Sequence, residues 1–160
     1  MHEEEELIRV FYTCFKNLDW PGMNACYSED IFFYDTVFEN LEGFRVKAMW
    51  QMLLSNAKDL KLDFSDVAAA DGYGSCQWTA AYSFSATGRR VVNKGEAHFK
   101  FAGGKIAEHQ DGFDLWKWSR QALGLPGILF GWTPPLQRKI RGMAKKNLQK
   151  FIHTHHLNPE

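Results

Sequence analysis

The fold is decided by residues 61–118, which read KLDFSDVAAADGYGSCQWTAAYSFSATGRRVVNKGEAHFKFAGGKIAEHQDGFDLWKW. The glycine-containing turns DGYG, ATG and AGG divide this stretch into segments rich in β-branched and aromatic residues. We predict strands over 61–70, 75–85, 90–101 and 105–118. Because such short turns join strands that run in opposite directions, the pattern predicts an antiparallel meander.

Helical patterns come before these strands. Leu7, Phe11 and Leu18 recur at the spacing of an amphipathic helix, and Pro21 is typical of the first turn of another. We predict helices over 3–18, 21–27 and 43–57, with a strand over 31–38. Helices followed by strands are typical of an α+β domain whose helices pack on one face of the sheet.

Length and composition limit the function classes. The chain has 160 residues, enough for one domain with a substantial core, and its 19 basic residues balance its 19 acidic ones. A dedicated nucleic-acid-binding protein is therefore not expected. Aromatic residues make up 15% of the chain, which favours a thick core or an aromatic-lined cavity for a small hydrophobic molecule.

Other features predict a cytoplasmic protein without a membrane span. The first residues are acidic, unlike a secretory signal, and the most apolar stretch, 122–132, is short and interrupted by glycine and proline. Cys14, Cys26 and Cys76 form an odd set without metal-ligand spacing, so we interpret them as reduced thiols. No cofactor motif and no metal site is recognised.

The last strand carries the clearest chemical pattern. His109, Asp111 and Phe113 alternate along it, so they share one face of a regular strand. A carboxylate two residues from an imidazole suits proton transfer, whereas the alternative is a structural hydrogen-bonded pair. Asp35 lies among apolar neighbours and is a third catalytic candidate, with capping of the following turn as its alternative.

Aromatic side chains are the candidates for ligand binding, with a purely structural role in the core as the alternative. They are Tyr12, Tyr34, Trp50, Trp78, Tyr82, Phe113 and Trp116.

YSEDIFFYD (27–35) and FAGGKIAEHQDGFDLWKW (101–118), placed after the helices and the meander, resemble the nuclear transport factor 2-like superfamily. The SnoaL-like polyketide cyclases and the ketosteroid-isomerase-like proteins are the most similar branches. The resemblance implies a cone-shaped domain over 1–118, with a curved antiparallel sheet and three N-terminal helices on its concave face. Residues 119–160 are an extension outside it.

The resemblance also places individual residues. Asp35 matches the proton-shuttling aspartate of ketosteroid isomerases, whereas their oxyanion-hole donors fall on Phe11 and near Ala97, which cannot donate. Asp111 matches the catalytic aspartate of limonene epoxide hydrolases. The partners of that aspartate fall near Trp78 and Ala80, so water activation by that set is not expected.

In SnoaL-like cyclases a carboxylate and a histidine on the last strand are implicated in proton transfer. His109 and Asp111 resemble that pair. The resemblance therefore implies a cofactor-independent isomerase or cyclase acting on a hydrophobic, ketone-like molecule. The alternative is a noncatalytic ligand-binding or dimerisation domain, and whether the chain is an enzyme stays open. Catalysis requires Asp35 and Asp111 to face one cavity, which we expect from opposite walls.

We also expect a homodimer built on the exposed face of the sheet. Candidates for that surface are Tyr73, Trp78, Phe84 and Phe99.

The extension ends in a basic amphipathic helix, with no acidic residue between 134 and 159. We expect it to fold back over the cavity mouth or onto a dimer partner. Its outer face is interpreted as solvated, with contact to an anionic surface as the less favoured reading.

Overall fold

The computed structural model describes residues 2–157. Helices and strands follow the predicted order, with three short additions. In chain order they are α1 (His2–Lys16), α2 (Trp20–Ala25), β1 (Tyr27–Asp35), β2 (Glu39–Glu42), α3 (Phe44–Asn56), β3 (Lys61–Ala70), β4 (Tyr73–Ser83), β5 (Arg90–Ala102), β6 (Lys105–Phe113), α4 (Leu115–Leu123), α5 (Leu125–Phe130) and α6 (Pro134–Thr154). The three additions are β2, α4 and α5.

The strands form one six-stranded sheet in the order β2-β1-β6-β5-β4-β3. The predicted antiparallel meander of β3 to β6 is confirmed, and β1 joins it by parallel pairing with β6. The register shifts in β3 between Ser65 and Ala68, and again in β5 at Lys100 and Phe101. Such irregularities bend a sheet. The sheet is curved and unclosed, which confirms the predicted α+β fold with a curved sheet.

The core lies between the concave face of the sheet and the first three helices. Side chains alternate along the strands, so Trp78, Phe99 and His109 point inward and are at most 9% exposed. Two of these, Trp78 and Phe99, had been predicted on the outer face. That face instead carries polar, exposed side chains such as Lys94 and Glu96. The prediction is therefore wrong for Trp78 and Phe99, whereas Tyr73 does lie exposed on the outer face.

The end of β6 differs from the prediction. The strand stops at Phe113, because the side chain of Asp114 accepts a hydrogen bond from the backbone N–H of Lys117 (3.0 Å) and so caps α4. Trp116 consequently lies in a helix. No strand was predicted over 39–42; all four residues of β2 pair with β1.

The extension contacts the rest of the chain through α6. Leu148 and Ile152 are buried. Arg141 Nε donates to the carbonyl oxygen of Thr36 (2.9 Å), and Lys145 Nζ donates to Glu39 Oε1 (2.5 Å). This places α6 beside the turn that follows β1. Within residues 2–157, no helix is both long and apolar enough to cross a membrane.

Candidate functional site

A buried chain of hydrogen bonds runs through His109, which is 0% exposed. Trp50 Nε1 donates to the hydroxyl of Tyr27 (2.9 Å), and that hydroxyl lies 2.7 Å from His109 Nδ1. On the other side of the ring, His109 Nε2 lies 2.9 Å from Asp111 Oδ1. The imidazole therefore links a tyrosine on the first strand to a carboxylate on the last.

The donors in this chain fix its direction. The Tyr27 oxygen already accepts a hydrogen bond from Trp50, so the Tyr27 hydroxyl donates its own proton in a hydrogen bond to His109 Nδ1. A neutral His109 then carries its proton on Nε2 and donates it to Asp111. The network holds one tautomer and orients the carboxylate without needing a charged histidine.

Aromatic rings enclose His109. Phe11, Phe33 and Phe99 lie with ring centroids 4.6 to 5.4 Å from the imidazole, and Trp50 stacks on it at 6.5 Å. Such close packing keeps water from the ring and fixes its orientation. His109 is thus closed off from solvent, and the Asp111 end of the network is the more exposed one.

Asp111 lies at the border between this cluster and solvent, with 10% of its side chain exposed. Its Oδ1 also accepts a hydrogen bond from Trp78 Nε1 (3.3 Å). Gly95, which the sequence analysis missed, makes room for this contact. A Cβ at that position would overlap the Trp78 ring. The signal was a glycine inside a strand, which often marks a close approach. Oδ2 of Asp111 accepts no hydrogen bond from residues 2–157.

Asp35 ends β1 and caps the turn after it. Its Oδ1 accepts the backbone N–H groups of Val37 (2.9 Å) and Phe38 (2.5 Å), as the capping alternative predicted. Burial, and secondly the charge of Asp111, nevertheless raise the pKa of Asp35 to about 6. A carboxyl group with this pKa exchanges protons near neutral pH.

The carboxylates of Asp35 and Asp111 had been expected on opposite walls of one cavity. They lie instead on adjacent strands, β1 and β6. Phe33 pairs with His109 in the parallel β1–β6 ladder, and both point inward. Two residues further along, the same alternation brings Asp35 and Asp111 to the same face. Reciprocal hydrogen bonds between Thr36 Oγ1 and the backbone of Phe113 show that the strands are still adjacent there.

Tyr12 adds a buried hydroxyl to this region. The side chain is 1% exposed, and its oxygen has no hydrogen-bond partner within residues 2–157. Burial raises the pKa of Tyr12 well above its ordinary value, and the charge of Asp111 acts in the same direction. An unpartnered buried hydroxyl close enough to feel that carboxylate is available as a donor to a bound ligand.

Comparison with known proteins identifies the family. The sequence model of the SnoaL-like domain matches residues 8–109, which is more than half of the chain. The chain belongs to the SnoaL-like family, within the nuclear transport factor 2-like superfamily. No curated protein sequence matches it significantly.

Solved structures share the fold of this SnoaL-like domain at low sequence identity. One is a Xanthomonas campestris protein assigned as a polyketide cyclase. It is 18% identical to this chain, with 75% of this chain and 96% of that chain covered and a TM-score of 0.63. AclR from Streptomyces galilaeus, assigned as a hydroxylase, is 19% identical (81% and 98% covered, TM-score 0.64). An LEH-like epoxide hydrolase from M. tuberculosis is 17% identical (80% and 96% covered, TM-score 0.65).

Some predicted ligand-binding residues of the SnoaL-like domain lie away from its concave face. Tyr34 is 41% exposed, because it follows the inward-pointing Phe33 and so points outward. Trp116 is 38% exposed and lies in α4. Tyr82, by contrast, shares the inward side of β4 with Trp78 and Ala80 and packs half-buried against the core, with its hydroxyl occupied by Trp118 Nε1 (2.7 Å). These three do not join the His109 network.

The remaining aromatic candidates lie near Asp111. Trp50 and Trp78 belong to its hydrogen-bond network, and Phe113 contacts the Trp78 ring edge-on at 6.2 Å. A surface depression of about 240 Å³ reaches Trp78, but Asp35 and Asp111 do not line it. Within residues 2–157, no group of three His, Cys, Asp or Glu side chains could hold a metal ion.

Proposed function

We propose that this SnoaL-like domain is a cofactor-independent isomerase or cyclase that moves protons on a small, hydrophobic, ketone-bearing molecule. The observation that carries the proposal is the adjacent pair Asp35 and Asp111 on the concave face, one with a pKa raised to about 6 and the other hydrogen-bonded to buried His109. Two titratable groups in different environments are the usual arrangement for acid–base chemistry.

In this proposal Asp35 is the base. Above its pKa of about 6 the carboxylate is ionised and can take a proton from the carbon next to a carbonyl group. The electron pair of the broken C–H bond moves toward the carbonyl oxygen and forms an enolate. Where a C=C bond is conjugated with the enolate, return of the proton from Asp35 to the far carbon of that system gives an isomer. Alternatively, the enolate carbon attacks a second carbonyl of the same molecule and closes a ring, and the proton held by Asp35 passes to the new alkoxide oxygen.

Stabilisation of the enolate oxygen falls to Tyr12. The family's donors are absent at Phe11 and Ala97, but the neighbouring hydroxyl of Tyr12 is buried and unpartnered within the described chain. A buried hydroxyl aimed at developing charge is worth more than one in water, because the local dielectric constant is low. His109 does not touch the ligand in this scheme; it holds Asp111 in place.

The competing proposal is a noncatalytic ligand-binding or dimerisation domain of the same fold. It is favoured by the close aromatic packing around His109, which fills the interior that a large ligand would need. Under this alternative the Asp111–His109 bond is structural. The two proposals differ in whether loss of the titrating carboxyl group abolishes turnover or only changes stability.

The test begins with native mass spectrometry of the purified protein, to find a copurified small molecule. Conversion of that molecule is then measured for wild type, Asp35→Asn and the matched control Asp30→Asn, an exposed aspartate of β1. Turnover should fall by at least about a hundredfold in Asp35→Asn, which lacks the base, while binding persists. Equal turnover in all three proteins, or bound ligand that is never converted, would favour the noncatalytic alternative.

We also propose a homodimer through the outer face of the sheet and a cytoplasmic location. Tyr73 (59% exposed) and Val92 (40% exposed) lie on that face and support the first part. Three free cysteines support the second, because such thiols are typical of reducing compartments. Light scattering at micromolar concentration should give twice the monomer mass of 18.5 kDa; a monomer would contradict the dimer.

A further inference from the structure

An exposed apolar surface surrounds α5 and lies outside the family match. We call it the apolar patch; its members are Leu125 (66% exposed), Ile128 (49%), Leu129 (51%), Phe130 (56%) and Trp132 (61%). Single exposed apolar residues are common on proteins, but five within eight consecutive residues are not. The apolar patch therefore calls for a partner that removes it from water.

The apolar patch is built into the fold rather than left by a frayed segment. The backbone of α5 lies directly on Ser119 of α4, so closely that a Cβ at Gly127 or at Gly131 would overlap it. Trp132 Nε1 donates to the carbonyl oxygen of Leu129 (3.1 Å), which ties the indole to α5. The glycine side of α5 thus packs inward, and its large side chains are directed outward.

Positive charge borders the apolar patch. An open recess of about 620 Å³ beside Ile128 is lined by Arg89, Arg90, Lys117 and Arg120, which we call the basic rim. Arg120 is supported by the Trp116 ring, 4.5 Å below its guanidinium group. Arg90 pairs with Asp59, but Lys117 has no ion pair or side-chain hydrogen bond within residues 2–157. The basic rim is therefore only partly neutralised.

The charge of the whole chain is divided along the sequence. Residues 1–114 contain eleven Lys or Arg and eighteen Asp or Glu, whereas residues 115–160 contain eight and one. On α6, Lys139, Met143, Lys146 and Lys150 follow helical spacing and are all exposed. In a chain with no net charge, the basic segment thus adjoins the apolar patch along the sequence.

We propose that the apolar patch and the basic rim bind the surface of an anionic lipid bilayer. Leu129, Phe130 and Trp132 enter the boundary between headgroups and acyl chains, and the basic rim contacts lipid phosphates. A second copy of the chain fits less well, because a symmetric contact through this surface brings two basic rims together. Nucleic acid would leave the apolar patch in water. The proposal is independent of the catalytic one.

The test is sedimentation of the full chain with vesicles of phosphatidylcholine alone or of phosphatidylcholine mixed with phosphatidylserine. Binding is expected only to the mixed vesicles and should weaken as salt is added. Lys117→Gln with Arg120→Gln should reduce the binding constant about 25-fold, at about 5-fold per basic residue. Leu129→Ser with Phe130→Ser should reduce it by about tenfold per side chain.

Matched controls lie elsewhere on the surface. Lys16→Gln with Lys58→Gln removes two exposed charges from the end of α1 and the loop after α3, and Val10→Ser removes an exposed apolar side chain from α1; both should bind like wild type. Circular dichroism confirms that every variant is folded. No binding of wild type to mixed vesicles, or equal losses in controls and patch variants, would overturn the proposal. So would a soluble dimer that Leu129→Ser with Phe130→Ser converts to monomers.

Discussion

Replacing Asp35 by asparagine should stabilise the protein at neutral pH. The amide keeps an oxygen that can accept from Val37 and Phe38 but removes the buried charge. The folded-state pKa is about 6 against an ordinary value of 3.8. At about 1.4 kcal/mol per pKa unit, ionising Asp35 in the folded protein costs about 3 kcal/mol of unfolding free energy.

The sign of the pH dependence follows from proton counts. Between pH 3.8 and about 6, the folded protein holds a proton on Asp35 that the unfolded chain has lost. Wild-type stability from this group therefore falls as pH rises through that window, and it is constant above it. The stability advantage of Asp35→Asn should grow from near zero at pH 4 to about 3 kcal/mol at pH 7.

Urea unfolding followed by circular dichroism, repeated from pH 4 to pH 8, measures this difference. Asp30→Asn is the matched control, because Asp30 is exposed on the same strand, and its difference from wild type should not change with pH. If the Asp35→Asn difference is independent of pH, or if that variant is less stable at pH 7, the burial argument for Asp35 is wrong.

Three further outcomes are expected. Gly95→Ala should displace the Trp78 ring and lower the unfolding free energy by about 1–3 kcal/mol, measured by urea unfolding; an unchanged value would show that the ring can move freely. Leu148→Ala should cost about 2–4 kcal/mol in the same assay if α6 is part of the core, and under about 0.5 kcal/mol if it is not. Asp111→Asn should lower the pKa of Asp35, read from its carboxyl carbon by NMR titration; no shift would mean that the two groups do not interact.

The fold was predictable from local signals. Turn glycines and alternating apolar residues give the bounds of β3 as observed and place the other meander strands within a few residues of theirs, except at the end of β6. That end was missed because the cap formed by Asp114 depends on a local backbone geometry that a strand-like composition hides. The four-residue β2 was missed because its own sequence is too short to show a strand pattern. It becomes a strand through its pairing with β1.

The site was predictable only in part. His109 and Asp111 could be placed on one face from alternation along a single strand. Their relation to Asp35 depends on parallel pairing between β1 and β6, strands that are far apart in sequence, and no local pattern reports that pairing. Tyr12 could be named from the sequence only as an aromatic candidate for ligand binding. That α1 buries it beside Phe11, and leaves its hydroxyl without a partner within residues 2–157, depends on packing against the sheet.

Proton exchange at carbon tests the proposed chemistry most directly, because it needs no knowledge of the final product. A panel of hydrophobic ketones, including any copurified molecule, is incubated with the protein in heavy water, and deuterium uptake next to the carbonyl group is followed by proton NMR. Wild type should accelerate uptake for at least one ketone, and the rate should rise with pH as a group with a pKa of about 6 loses its proton. Asp35→Asn should lose the acceleration, and Asp30→Asn should keep it. Acceleration that survives in Asp35→Asn, or none for any ketone that binds, would contradict the account.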